Sequence, residues 1–234
     1  MPILNRAAEL QPEVTEWRRA LHTMPELLYE VHKTAAFVAE RLREFGCDEV
    51  VTGLGKTGVV GVLRGGRPGG TVALRADMDA LPVLEATGLP FASTATGTYM
   101  GNTVPVAHAC GHDAHVAMLM GAAEVLAGMK DDIPGTVVFI FQPAEEGAPP
   151  GEPMGGAMLM IQEGALADPR PDAIFGLHVV PGRPGSVFYR PRGFMAAWPP
   201  RPFMVMVNSA VPAISGPTRV ANLPTGRPGM LCMP

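Results

Sequence analysis

Cysteine is scarce and scattered: Cys47, Cys110 and Cys232 are the only three in 234 residues, an odd number too far apart to form a disulfide framework. That usage suits a reducing compartment. The opening MPILNRAAELQPEVTEW lacks the basic start and apolar stretch of a secretion signal, so a cytoplasmic location is expected. Also missing is any run of the ~20 uninterrupted apolar residues that a membrane span requires. Positive charge is not in excess: 18 Lys and Arg stand against 22 Asp and Glu, a formal net charge of -4. Phosphate backbones need a basic surface, which argues against nucleic acid as a main partner. What the chain has in plenty is apolar residues, 47% against 17% charged, enough to bury a full core.

Helix and strand patterns alternate along the chain. Residues 11–22 and 33–45 carry helical periodicity, with a turn at Pro25 between them and Gly46 ending the second helix. TGVVGVL (57–63) and TVALR (71–75) read as strands on either side of a GGRPGG turn, and a helix is expected over about 114–129. TVVFIF (136–141) is an unbroken apolar run typical of a strand covered on both faces, and AIFGL (173–177) is a further strand leading into His178. This alternation predicts an α/β domain with a mostly parallel sheet flanked by helices.

Residues 108–115 read HACGHDAH and hold three of the six histidines of the chain, together with a thiol and a carboxylate. That donor mixture suits a divalent transition metal better than calcium or magnesium. Cys110 and His112, separated by Gly111, can reach one ion. His108 and Asp113 read as groups that orient a ligand's ring. His115 reads as a residue of the first turn of the helix that follows. A second acidic segment, FQPAEEG (141–147), sits directly after the buried strand, where α/β folds place their chemistry. Of Glu145 and Glu146, one can hold a metal while the other faces a substrate. His178 stands at the end of another strand.

GLGKT (53–57) carries the GK[ST] ending of a phosphate loop, yet position 50 is Val50 where that pattern needs glycine, and a strand follows instead of a helix. It reads as a hairpin loop, not a nucleotide site.

Taken together, RADMDALP (75–82), HACGHDAH, FQPAEEG and FGLH resemble the metal-dependent N-acyl-amino-acid amidohydrolases, the family of hippurate hydrolase and the indole-acetyl-amino-acid hydrolases. RRALHTMPELLYEVHKTA (18–35) is similar to that family's N-terminal helices, and the likeness runs over about residues 6–197. The resemblance implies a zinc-peptidase-like catalytic domain with two divalent ions, zinc, manganese, nickel or cobalt. Cys110, His112, Glu146 and His178 would be ligands and Glu145 the general base, with Asp77 and Asp79 in support. The implied substrate is a small N-acyl or N-aroyl amino acid, and the resemblance allows a homodimer in full-length relatives.

After Asp172 there is no acidic residue, and after His178 no histidine. Residues 198–234 are Pro-rich and are expected to be irregular, so 1–197 is read as the N-terminal part of the catalytic domain, with the family's lid and dimerisation domain and a further metal-binding histidine missing. A truncated or frameshifted reading is the expectation. Two other functions compete: a metal-binding but inactive fragment, and a thiol enzyme with Cys110 as nucleophile.

Overall fold

The computed structural model describes residues 3–181 and the backbone of 187–190 and 203–208. Helices α1 (Ile3–Thr23) and α2 (His32–Glu44) lead into strands β1 (Glu49–Leu54), β2 (Gly58–Arg64) and β3 (Arg67–Asp77). A small hairpin of β4 (Thr96–Tyr99) and β5 (Asn102–Pro105) precedes α3 (His112–Ala127) and β6 (Pro134–Gln142). There follow α4 (Gly156–Gln162), β7 (Ala173–Val180), β8 (Val187–Arg190) and β9 (Phe203–Asn208).

The main sheet has the order β1-β2-β6-β3-β7-β9-β8. β6, β3, β7 and β9 are parallel neighbours, β2 runs antiparallel to both β1 and β6, and β8 antiparallel to β9. Five strands therefore share one direction and two oppose it, a mostly parallel sheet as the alternation predicts.

β6 earns its central place by composition. Successive side chains of a strand point to opposite faces. Phe139 and Phe141 enter the core under α1, α2 and α3, where Leu10, Trp17, Leu21, Val38, Leu42, Val116 and Met120 are buried. Val138 and Ile140 enter a smaller core on the other face with Val60, Ala73 and Met160 of α4. Burying each large apolar side chain stabilises the fold by roughly 1.5–3 kcal/mol.

The segment GGRPGG departs from its simplest reading. Only Gly65 and Gly66 lie between β2 and β3, since Arg67 to Gly70 open β3 itself, and those strands do not pair, because β6 inserts between them. Glycine lets the backbones close up there: a Cβ on Gly135, whose φ is +84°, would lie 1.9 Å from the carbonyl oxygen of Gly70. GLGKT is the turn of the antiparallel β1–β2 pair. The expectation of an irregular stretch from 198 onward needs correction at one place. FMVMVN (203–208) is an apolar run, and it forms β9 alongside β7, Phe175 opposite Phe203 through Val180 opposite Asn208. The rest of that stretch lies outside the described residues.

The parallel direction sets the site. Asp77 ends β3, Gln142 ends β6, and His178 lies near the end of β7. The first turn of α3 begins with His112.

Candidate metal centre

Gly111 carries the local geometry that makes the cluster possible. It precedes α3 with φ +89°, a conformation glycine adopts at little cost. A Cβ there would meet Val179 Cγ2 at 2.4 Å, so the bare backbone brings the Cys110–His112 run against β7. Cys110 Sγ then stands 3.4 Å from His178 Nε2. The His112 ring is fully buried, and its Nε2 lies 3.7 Å from Glu146 Oε1, 3.8 Å from Glu145 Oε2 and 3.7 Å from Asp77 Oδ2.

These separations fit a cation. A tetrahedral ion with donors at ordinary zinc distances keeps neighbouring donor atoms on the order of 3.4 Å apart. Cys110, His112 and His178 offer donor atoms within 4.8 Å of one another, as do His112, Glu145 and Glu146. His112 belongs to both groups. Its Nε2 has no hydrogen-bond partner among the described residues, although carboxylate oxygens surround it.

The ring orientations agree with that fit. His112 Nδ1 donates to the Asp79 carbonyl oxygen at 2.7 Å, and His178 Nδ1 donates to the Val179 carbonyl oxygen at 2.6 Å. A proton held at Nδ1 leaves the Nε2 lone pair free for a metal.

The carboxylates divide the remaining work. Asp79 accepts the backbone N–H of Glu145 through Oδ1 at 2.9 Å and that of Glu146 through Oδ2 at 3.1 Å. Just before them, Ala144 has φ +46° and donates its N–H to the Leu28 carbonyl oxygen. Asp77 accepts from Arg75 Nη1 at 2.7 Å, while Arg75 Nε and Nη2 both donate to Gln142 Oε1. A cleft of about 320 Å³ opens beside Glu145, walled also by Arg75, Gln142 and Met158.

Burial raises the pKa of Glu145, and the nearby Asp77 charge adds to it. Burial raises Glu146 as well, against the pull of His112. Burial would lower His112, but Asp77 and Asp79 outweigh it and hold the ring well above its ordinary value. The cluster thus presents negative potential around a buried nitrogen, the environment a divalent ion needs.

The structure brings Cys110, His112, Glu145, Glu146 and His178 together and sets Asp77 and Asp79 beside them. It does not do so for His108 and Asp113. Asp113 follows His112 by one residue, about 100° round the helix. Its Oδ2 therefore accepts from His22 Nδ1 and from Arg18 Nε, both on α1. The His108 ring is buried with no hydrogen-bond partner among the described residues, and burial pushes its pKa down to about 4. Neither residue is hydrogen-bonded to the ring of His112 or His178, so these contacts lend no support to the expectation that they orient a ligand's ring.

His115 is more than a passenger in the first turn. It donates from Nδ1 to Asp77 Oδ1 at 2.6 Å and accepts the Val179 N–H at Nε2 at 2.9 Å, so it ties Asp77 to β7. Its position three after His112 on one helix was the available signal, since i and i+3 share a face. Arg75 was the other residue overlooked, and it stands in the RADMDALP segment itself.

The sequence profile of peptidase family M20/M25/M40 matches residues 73–211. Thermostable carboxypeptidase 1 of Saccharolobus solfataricus is 45% identical over 83% of this chain and 46% of its own length. The hippurate hydrolase of Campylobacter jejuni is 41% identical over 84% of this chain and 47% of its own. Among solved structures, the YXEP protein of Bacillus subtilis, a dinuclear metal binding peptidase, superposes with a TM-score of 0.66 at 37% identity. That likeness covers 77% of this chain and 46% of the other. The chain spans about half the length of the curated relatives it matches. No helix among the described residues is long and apolar enough to cross a membrane.

Proposed function

The chain belongs to peptidase family M20/M25/M40, and from that premise we propose that it carries the metal centre of an amidohydrolase acting on N-acyl or N-aroyl amino acids such as hippurate. The observation that carries this reading is the unpartnered, buried His112 Nε2 between the carboxylates of Asp77, Glu145 and Glu146. Cys110, His112, Glu146 and His178 would hold two divalent ions of the zinc, manganese, nickel or cobalt type, with His112 close to both donor groups. The same substrate class is named for relatives from Geobacillus stearothermophilus and Campylobacter jejuni.

An amide is a weak electrophile with a poor leaving group. Divalent ions, when bound, polarise its carbonyl and make a water acidic enough to lose a proton near neutral pH. The rest falls to the chain's own side chains. Glu145 accepts the proton of the attacking water and delivers it to the departing amine nitrogen as the C–N bond breaks. Its raised pKa brings it closer to the pH at which it must both take and give that proton. Asp79 aims Glu145 and Glu146 through their N–H groups, and His115 with Arg75 holds Asp77 charged next to His112. The cleft beside Glu145 offers room for the amide. A cytoplasmic setting would keep Cys110 reduced and able to ligate.

A second reading, metal uptake without turnover, draws support from the chain's spanning only about half the length of its relatives. Incubating the cobalt- or zinc-loaded chain with hippurate and measuring benzoate release separates the two. Release that stops with a chelator, and stops in Glu145→Gln while bound metal persists, supports the amidohydrolase. Bound metal with no release supports the second reading.

A further inference from the structure

A second cluster of titratable side chains lies on the α1 side of α3. His22 is 5% exposed. Its Nδ1 is 2.7 Å from Asp113 Oδ2 on α3, and its Nε2 is 3.1 Å from Glu85 Oε1 on the segment that follows β3. Ionised carboxylates only accept hydrogen bonds. With both carboxylates ionised, each ring nitrogen would donate to one of them, the arrangement of an imidazolium.

Of the other groups facing His22, Arg18 works against this state. Arg18, on the same helix, has Nη2 3.3 Å from His22 Nδ1, where a guanidinium can donate only to a bare nitrogen, so it competes with Asp113 for Nδ1; the Asp113 contact is the shorter at 2.7 Å, and Arg18 Nε donates to the same Asp113 Oδ2 at 2.8 Å. A bare Nδ1 lone pair 2.7 Å from the same oxygen would be repelled by it. From the segment after β5, the His108 ring stands 6.3 Å away and is neutral through burial. Phe91 packs edge-on at 5.7 Å, with the guanidiniums of Arg18 and Arg19 over its own ring. Two cations, Arg18 and His22, thus balance two anions, Asp113 and Glu85.

Glu85 does more than receive His22. Its Oε1 accepts from Thr87 Oγ1 at 2.5 Å and its Oε2 accepts the Ser93 N–H at 2.6 Å, so one carboxylate closes residues 85–93 on themselves. Ser93 Oγ in turn donates to the Val106 carbonyl oxygen. The His22–Glu85 contact links this closed segment to the helices, beside the packing of Phe91 on Arg18 and Arg19.

We infer that His22 is a cationic clasp that fastens segment 85–93 to α1 and the first turn of α3, and that loss of its ring proton releases the segment. With that proton gone, Asp113 and Glu85 face one another across a ring that can donate to one of them only. The sign follows from linkage. Burial lowers the His22 pKa, but Asp113 and Glu85 more than reverse this and leave it raised. The clasp's stabilisation is fully present below the unfolded value of about 6.5 and is lost as pH rises through the higher folded value.

Nitrogen-15 NMR of the histidine-labelled full chain tests this, with the His22 signals identified by their loss in His22→Gln. The expected result is two protonated His22 ring nitrogens at pH 6.5 and a titration midpoint above that pH. Glu85→Gln should lower the midpoint by on the order of one unit and speed Ser93 amide exchange at least tenfold. If His22→Gln does not fold, the selective shift in Glu85→Gln identifies the same signals. A His22 ring with one unprotonated nitrogen at pH 6, or a midpoint unmoved in Glu85→Gln, would overturn the inference. Neither readout depends on turnover or on bound metal.

Discussion

Asp79 Oδ1 accepts the backbone N–H of Glu145 at 2.9 Å, so the segment that follows β3 fixes the direction of the segment that follows β6. The second oxygen of Asp79 does the same for Glu146. One buried carboxylate thereby sets two side chains that the sequence places 66 and 67 positions away. Asp79→Ala would leave both N–H groups without their acceptor. Hydrogen bonds to a charged group contribute roughly 1.5–3 kcal/mol each, so a loss of about 3 kcal/mol or more is expected in urea unfolding. A loss below about 1 kcal/mol would mean that water replaces the carboxylate.

Gly111→Ala addresses the backbone between two proposed ligands. The residue sits at φ +89°, and a Cβ would press on Val179 at 2.4 Å. Left-handed backbone costs a non-glycine residue on the order of 1–2 kcal/mol before any clash is counted. We expect at least tenfold weaker cobalt binding in a metal-buffered titration, because Cys110 and His112 lie on either side of the strained bond. Unchanged affinity would show that Val179 yields freely.

The acid limb of stability should depend on Asp77. Burial would raise its pKa, but the charges of Arg75 and His112 and the hydrogen bond from His115 hold it well below the usual carboxylate range. A depressed folded pKa stabilises the protein above the unfolded value of about 4 and loses that stabilisation as pH falls through the folded value. Unfolding free energy followed from pH 6 down to pH 2 should therefore decline less steeply in Asp77→Asn than in the unaltered chain. Parallel curves would place the acid sensitivity elsewhere.

Much of this arrangement was legible in the sequence, for reasons that differ by residue. TVVFIF pointed to a central strand because so uninterrupted an apolar run of β-branched and aromatic residues suits a strand buried on both faces, and HACGHDAH pointed to a candidate cation site because its donor mixture suits a divalent metal. What could not be read was direction. Asp113 and His112 are neighbours in sequence, yet the helix turns one toward Arg18 and His22 and the other toward Glu146. His115 looked incidental until Asp77 and Val179 were seen on its two nitrogens. The pairing of β2 with β6 instead of β3 is likewise a long-range choice that no local turn signal encodes.

The convergence of Cys110, His112, Glu146 and His178 on shared cations is tested most directly by loading the chain with cobalt and reading the thiolate-to-cobalt charge-transfer absorption. Cys47 makes a natural control, since burial pushes its thiol up to about 11 and leaves it a poor thiolate donor near neutral pH. The expected result is a charge-transfer band in the unaltered chain and in Cys47→Ser that disappears in Cys110→Ser, with cobalt uptake lost in His112→Ala. A band that survives Cys110→Ser, or uptake that survives His112→Ala undiminished, would contradict the proposed centre.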